Sequence, residues 1–151
     1  MEQVKTVNDF KELISVIKEY TKEQPDGTEI WFRGQNDCKY GLVPSLFRYK
    51  KGEEKERELY ETYRKFSYKL SFARQNDWEL LIDMQHYAIP TRILDWSENL
   101  GVALFFAITN HADNDVAIFL LNPYKLNIYS KKQIFLMSLL KTNIFLMKMF
   151  I

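Results

Sequence analysis

Six consecutive apolar residues, Val116-Ala117-Ile118-Phe119-Leu120-Leu121, stand between Asn114-Asp115 and Asn122-Pro123. So short a run, with no polar alternation, reads as a central strand of a sheet. Turn-forming residues bound it, and Pro123 has no N–H to continue a ladder. The rest of the chain is largely helical in pattern. The expected class is therefore mixed α/β of the α+β kind, a small central sheet with several packed helices.

From Thr6 to Tyr20 the residues Phe10, Leu13, Ile14 and Ile17 recur at helical spacing, with Asn8 or Thr6 as the N-cap oxygen. Pro25-Asp26-Gly27 predicts a turn, and Glu29-Ile30-Trp31-Phe32-Arg33 a short strand closed by Gly34. Residues 36–51 show no sustained period and read as ordered loop. Leu59, Tyr60, Tyr63, Phe66 and Leu70 predict a long helix over 53–72 with a charged, solvated outer face. Asn76 and Glu79 have capping-box spacing ahead of Trp78, Leu81 and Ile82. Pro90 disfavours helical backbone at Ile89, which ends that helix near Tyr87. Ser97 is then placed to cap a helix over 100–109, whose apolar residues on all sides predict a buried position at the domain centre.

A length of 151 residues suits one domain. It divides into an N-terminal helix and turn (1–28), a core with the polar motifs (29–123) and an apolar end (124–151). With 21 basic and 20 acidic residues the net charge is +1, so no global signal for nucleic acid is present. Cys38 is the single cysteine, which excludes an intrachain disulfide and a thiolate zinc site and fits a reducing, cytoplasmic setting. The charged N-terminus lacks a signal core. Near the end, Ile134-Phe135-Leu136-Met137 recurs as Ile144-Phe145-Leu146-Met147, but Lys132, Lys141 and Lys148 interrupt the apolar stretch, so no transmembrane span is expected. A helix or strand packed on the core, or a surface for self-association, accounts for it.

Two polar blocks lie inside this apolar frame. In the first, Arg33 ends a predicted strand and precedes Gly34, which permits close approach of another backbone or a ligand, and Gln35. A fixed guanidinium is a two-point clamp for phosphate or carboxylate. A salt bridge to Asp95 or Asp37 is the equally weighted structural alternative. In the second, Gln85, His86, Thr91, Arg92, Asp95 and Ser97 fall within thirteen residues across a helix end, a Pro-fixed loop and a helix start. His86 offers a base or donor, against the commoner role of a helix C-cap. Asp95, beside Trp96, is expected to pair with Arg92 or Arg33. His86 and His111 lack ligand spacing, so no metal is expected. No glycine-lysine phosphate loop occurs.

Taken in order, Trp31-Phe32-Arg33-Gly34-Gln35, Gly41-Leu42-Val43-Pro44-Ser45-Leu46-Phe47-Arg48, Gln85-His86-Tyr87, Pro90-Thr91-Arg92 and Leu94-Asp95-Trp96-Ser97 resemble the FRG domain over about residues 30–123. The family is met mostly in bacterial and phage proteins. Its aromatic-Arg motif is similar to the first-strand arginine of ADP-ribosyltransferase folds, which holds the phosphates and ribose of NAD. That resemblance implies Arg33 as a ligand contact; around it Gly34, Gln35, Gln85, Thr91, Arg92 and Ser97 are expected ligand-contact positions, and His86 and Asp95 the expected catalytic residues. The ligand implied is a small nucleotide-like anion, NAD among the candidates. Such enzymes also use a late glutamate, and this sequence has no Asp or Glu after Asp115. The alternative is a non-catalytic interaction module in which Arg33, Arg92 and Asp95 form a salt-bridge network.

Overall fold

The computed structural model describes residues 3–70, 76–109, 114–132 and 145–149. The chain divides into two compact units, Met1–Tyr40 with Asp95–Ile151, and Gly41–Leu94 between them in sequence.

The first unit is built on a four-stranded sheet. Its strands are β1 (Gln3–Val7), β2 (Trp31–Gln35), β3 (Val116–Leu121) and β4 (Phe145–Met149), in the order β1-β4-β3-β2. β1 runs parallel to β4, while β3 is antiparallel to both β4 and β2. The apolar run thus becomes an interior strand, and all six of its residues are buried, as its lack of alternation requires. Val116, Ile118 and Leu120 share one face by the two-residue period of a strand. They join Leu13, Val16 and Tyr20 of α1 (Phe10–Lys22) and Ala103 and Ala107 of α5 (Leu100–Ile108) in one core cluster.

Several boundaries differ from the sequence expectation. The first helix begins at Phe10 because Asp9, not Asn8 or Thr6, caps it, its carboxylate accepting from the Glu12 N–H at 2.7 Å. The preceding residues form β1 instead of a helical turn. Its partner, β4, lies at the other end of the sequence, so no local pattern announces the pairing. The expected turn is present, with Gly27 at φ 75° and the Thr28 N–H donating to Pro25 O. Gly34 continues β2 rather than closing it. α6 (Pro123–Lys132) follows β3 directly, capped by Asn122 Oδ1 on the Lys125 N–H at 3.0 Å. The other end of that amide donates to Gln24 Oε1 at 3.0 Å, tying the end of α1 to the end of β3.

α5 departs most from expectation. Only Ala103 and Ala107 are buried, whereas Val102, Phe105, Phe106 and Ile108 are exposed, the two phenylalanines by about 60%. Ala103 and Ala107 face the sheet, with Leu100 and Leu104 packed against the core beside them, while Val102, Phe105, Phe106 and Ile108 face away, so the helix is not buried on all sides. Ser97 does not cap it. Asn99 does, through Oδ1 on the Gly101 N–H at 2.8 Å.

The second unit is helical: α2 (Ser45–Arg48), α3 (Gly52–Leu70) and α4 (Asp77–His86). The stretch read as loop therefore contains α2, and also a 3-10 turn at Cys38–Tyr40 in the first unit. The capping box on α4 is present in both directions, Asn76 Oδ1 on the Glu79 N–H and the Glu79 carboxylate on the Asn76 N–H. α3 and α4 are joined by the Tyr60 hydroxyl, which donates to Asp77 Oδ1 at 2.6 Å. That bond to a carboxylate holds the Tyr60 phenol above its ordinary value. The recurring apolar motif and His111 fall largely or wholly outside the described residues, Phe145 to Met147 excepted as part of β4.

Candidate functional site

In the first unit the site residues are Arg33, Gly34, Gln35, Asp95 and Ser97. β2 is an edge strand, and its outer edge is met by the chain entering α5. Phe32 N–H donates to Ser97 O at 2.7 Å, and Ser97 N–H returns the bond to Phe32 O at 2.8 Å. Ser97 thus acts through its backbone, while its hydroxyl accepts from the Asn99 N–H at 3.0 Å. Residues 95–97 are fastened to β2 at the point where the arginine leaves it.

Register separates the functions of neighbouring β2 residues. Phe32 and Gly34 pair with Leu120 and Ile118 and point toward the α5 face. Arg33 pairs with Phe119 and points to the opposite face, with Trp31 and Gln35. Gly34 is required because a Cβ there would lie 1.7 Å from the carbonyl oxygen of Ala103. The close approach that this glycine permits is therefore that of the α5 backbone, not of a ligand. The indole N–H of Trp31 is buried with no acceptor among the described residues, at a cost on the order of 1–3 kcal/mol.

Arg33 is partly exposed, and its Nη1 donates to the main-chain carbonyl of Asp95 at 2.7 Å. The expected Arg33–Asp95 relationship thus includes a bond to the Asp95 backbone. Gln35 is buried, its Nε2 donating to Asp37 O at 3.2 Å, while the Asp37 carboxylate accepts from the Lys39 N–H at 2.8 Å. These bonds hold the turn after β2.

In the second unit are Gln85, His86, Thr91 and Arg92. Thr91 is 1% exposed and acts as a staple. Its hydroxyl donates to Gln85 Oε1 and accepts from the Ile93 N–H at 3.2 Å. Its backbone exchanges two bonds with the Ser45 hydroxyl and accepts from the Leu46 N–H at 3.2 Å. The loop after Pro90 is thereby anchored to α4 and to the start of α2, which makes Thr91 and Gln85 supports of the loop.

Arg92 corrects the expected pairing with Asp95. Its Nε donates to Glu56 Oε1 at 2.5 Å and its Nη2 to Glu56 Oε2, a two-point fork onto α3. The hydrogen bond from Arg92 holds the Glu56 carboxyl below the usual glutamate range and raises the guanidinium in turn. Glu56 lies on the face expected to be merely solvated. Its alternating charges offered no signal that one of them takes a specific partner.

His86 is the last residue of α4 and exposed, its ring edge-on to Tyr87 with centroids 5.3 Å apart. The cap itself is Tyr87, followed by Ala88 in the left-handed region at φ 58°. Ala88 N–H donates to Gln85 O at 3.1 Å and Ile89 N–H to Met84 O at 2.9 Å, a Schellman closure with alanine where glycine is favoured. No group of three or more His, Cys, Asp or Glu side chains that could hold a metal occurs among the described residues. No helix among them is long and apolar enough to cross a membrane.

Comparison with known families gives one match. A family model described as FRG domain covers residues 28–116, more than half of the chain. No curated protein and no solved structure matches significantly.

Proposed function

The chain belongs to the FRG domain family, and from that footing we propose that it binds a small, anionic, nucleotide-like ligand through Arg33. The observation carrying this reading is the state of that side chain, partly exposed and tethered at Nη1 to a main-chain carbonyl. A guanidinium oriented by a bond to the Asp95 main chain loses little freedom when it meets an anion. Asp95, exposed and next to the tether, is the carboxylate proposed to face the sugar or an attacking group. If the ligand is NAD, the reaction to test is transfer of its ADP-ribosyl group. The bond to nicotinamide breaks, a bond from the same carbon to a nucleophile forms, and the nucleophile releases its proton.

The test is thermal melting of the full chain with and without NAD or ADP-ribose, for the natural protein and Arg33→Lys. Lysine keeps the charge but loses the fork. A ligand-dependent rise in Tm that shrinks in the variant is expected. Equal melting of the natural protein with and without both nucleotides would remove the reading.

A second reading is favoured by one specific pattern: Thr91 is buried, and Ser97 and Arg33 bond to the main chain. On it the motif residues are a scaffold for an interaction module. It predicts that Arg33→Lys lowers Tm without ligand and that nucleotides change nothing.

A further inference from the structure

We propose that Arg92 is an oxyanion-binding site of its own, held closed by the Glu56 carboxylate. Its ligand is a phosphoryl or carboxylate group presenting two adjacent oxygens. This inference does not depend on Arg33 binding a nucleotide.

Glu56 occupies Arg92 as such a ligand would, one oxygen on Nε and the other on Nη2. The two-point geometry is the one that guanidinium groups offer to carboxylate and phosphate alike. The arginine is also presented on a rigid support. Pro90 limits the backbone before it, and Thr91 is bonded through its hydroxyl and both main-chain groups. A receptor whose backbone is already ordered loses less entropy on binding.

Access and strength point the same way. The Arg92 side chain is 56% exposed, against 22% for Glu56, so the open side of the pair belongs to the guanidinium. Nη1 has no partner among the described residues. An incoming oxyanion can therefore engage Nη1 first and then take Nη2 as Glu56 leaves. With the guanidinium more than half open to water, the pair is placed to exchange one oxyanion for another. The charges around it set the threshold, because Glu53, one turn earlier on α3, adds negative potential to that of Glu56. An anion must thus compete with a built-in carboxylate, and removal of that competitor strengthens binding.

The experiment follows the Arg92 Nε–H resonance of the 15N-labelled full chain, assigned with Arg92→Gln, during titration with inorganic pyrophosphate and, separately, succinate. In Glu56→Gln the resonance shifts with an affinity raised roughly two- to fivefold over the natural protein, the scale of a surface ion pair. Response to pyrophosphate alone identifies a phosphoryl ligand, and response to succinate alone a carboxylate one. Equal affinity in the two proteins overturns the proposal, as does a resonance that neither anion moves in Glu56→Gln. Loss of nucleotide binding at Arg33 leaves these outcomes unchanged, so the two readings fail separately.

Discussion

A Cβ at position 34 would stand 1.7 Å from the carbonyl oxygen of Ala103, so β2 and α5 meet backbone against backbone at the residue next to Arg33. Neither the strand nor the helix can retreat without disturbing the core cluster that contains Ala103 and Ala107.

Gly34→Ala is therefore expected to cost about 3 kcal/mol or more, at or above the upper range for overpacking a close-packed interior. Urea denaturation of the two proteins measures it. A variant within about 0.5 kcal/mol of the natural chain, the usual effect of a neutral surface change, would contradict the contact.

Ala88 occupies a left-handed position at φ 58° after α4, and its side chain is exposed. Ala88→Gly relieves the Cβ clash but loosens the unfolded chain, so a net gain of about 0.5–1 kcal/mol is expected. Thermal melting should show a higher Tm. A lower one would mean that the Schellman closure is not populated.

The Thr91 hydroxyl bonds Gln85 Oε1 and the Ile93 N–H inside a buried site. Thr91→Val keeps the shape and removes the bond that each makes to the hydroxyl, at about 1–3 kcal/mol. Thr91→Ser keeps the hydroxyl and should retain those bonds. If valine and serine destabilise equally, the loss is one of packing and the staple is not the cause.

Stability should also carry the signature of Glu56. Because Arg92 lowers its folded-state pKa below the ordinary 4.5, the contribution is complete above that value and is lost as pH falls through the lower, folded-state one. The Tm difference between the natural protein and Glu56→Gln should therefore be constant from neutral pH down to about 5, then narrow on further acidification. A difference independent of pH to strongly acid conditions would rule out the ion pair as its source.

Much of the local structure was legible because its causes are local. Asn76 and Glu79 make the capping box their spacing announces, Pro90 ends the helix before it, and Gly27 makes its turn. The interior position of β3 followed from six apolar residues without alternation. The FRG motifs were likewise readable in order, and the family model covers them.

What the motif residues do was not readable, because hydrogen bonds between segments distant in sequence leave no periodic trace. Arg92 could have met Asp95, three residues on, but the fold puts Glu56 in its fork from thirty-six positions away. The apolar stretch of α5 promised burial. Gly34 instead lets the α5 backbone approach the sheet at Ala103, where the fully buried residues of the helix are alanines, and the phenylalanines point outward. Local spacing determined the caps, the turns and the one wholly apolar strand. Tertiary contact alone decided which charge meets which partner and which face of an apolar helix is covered, since both depend on where remote backbone comes to rest.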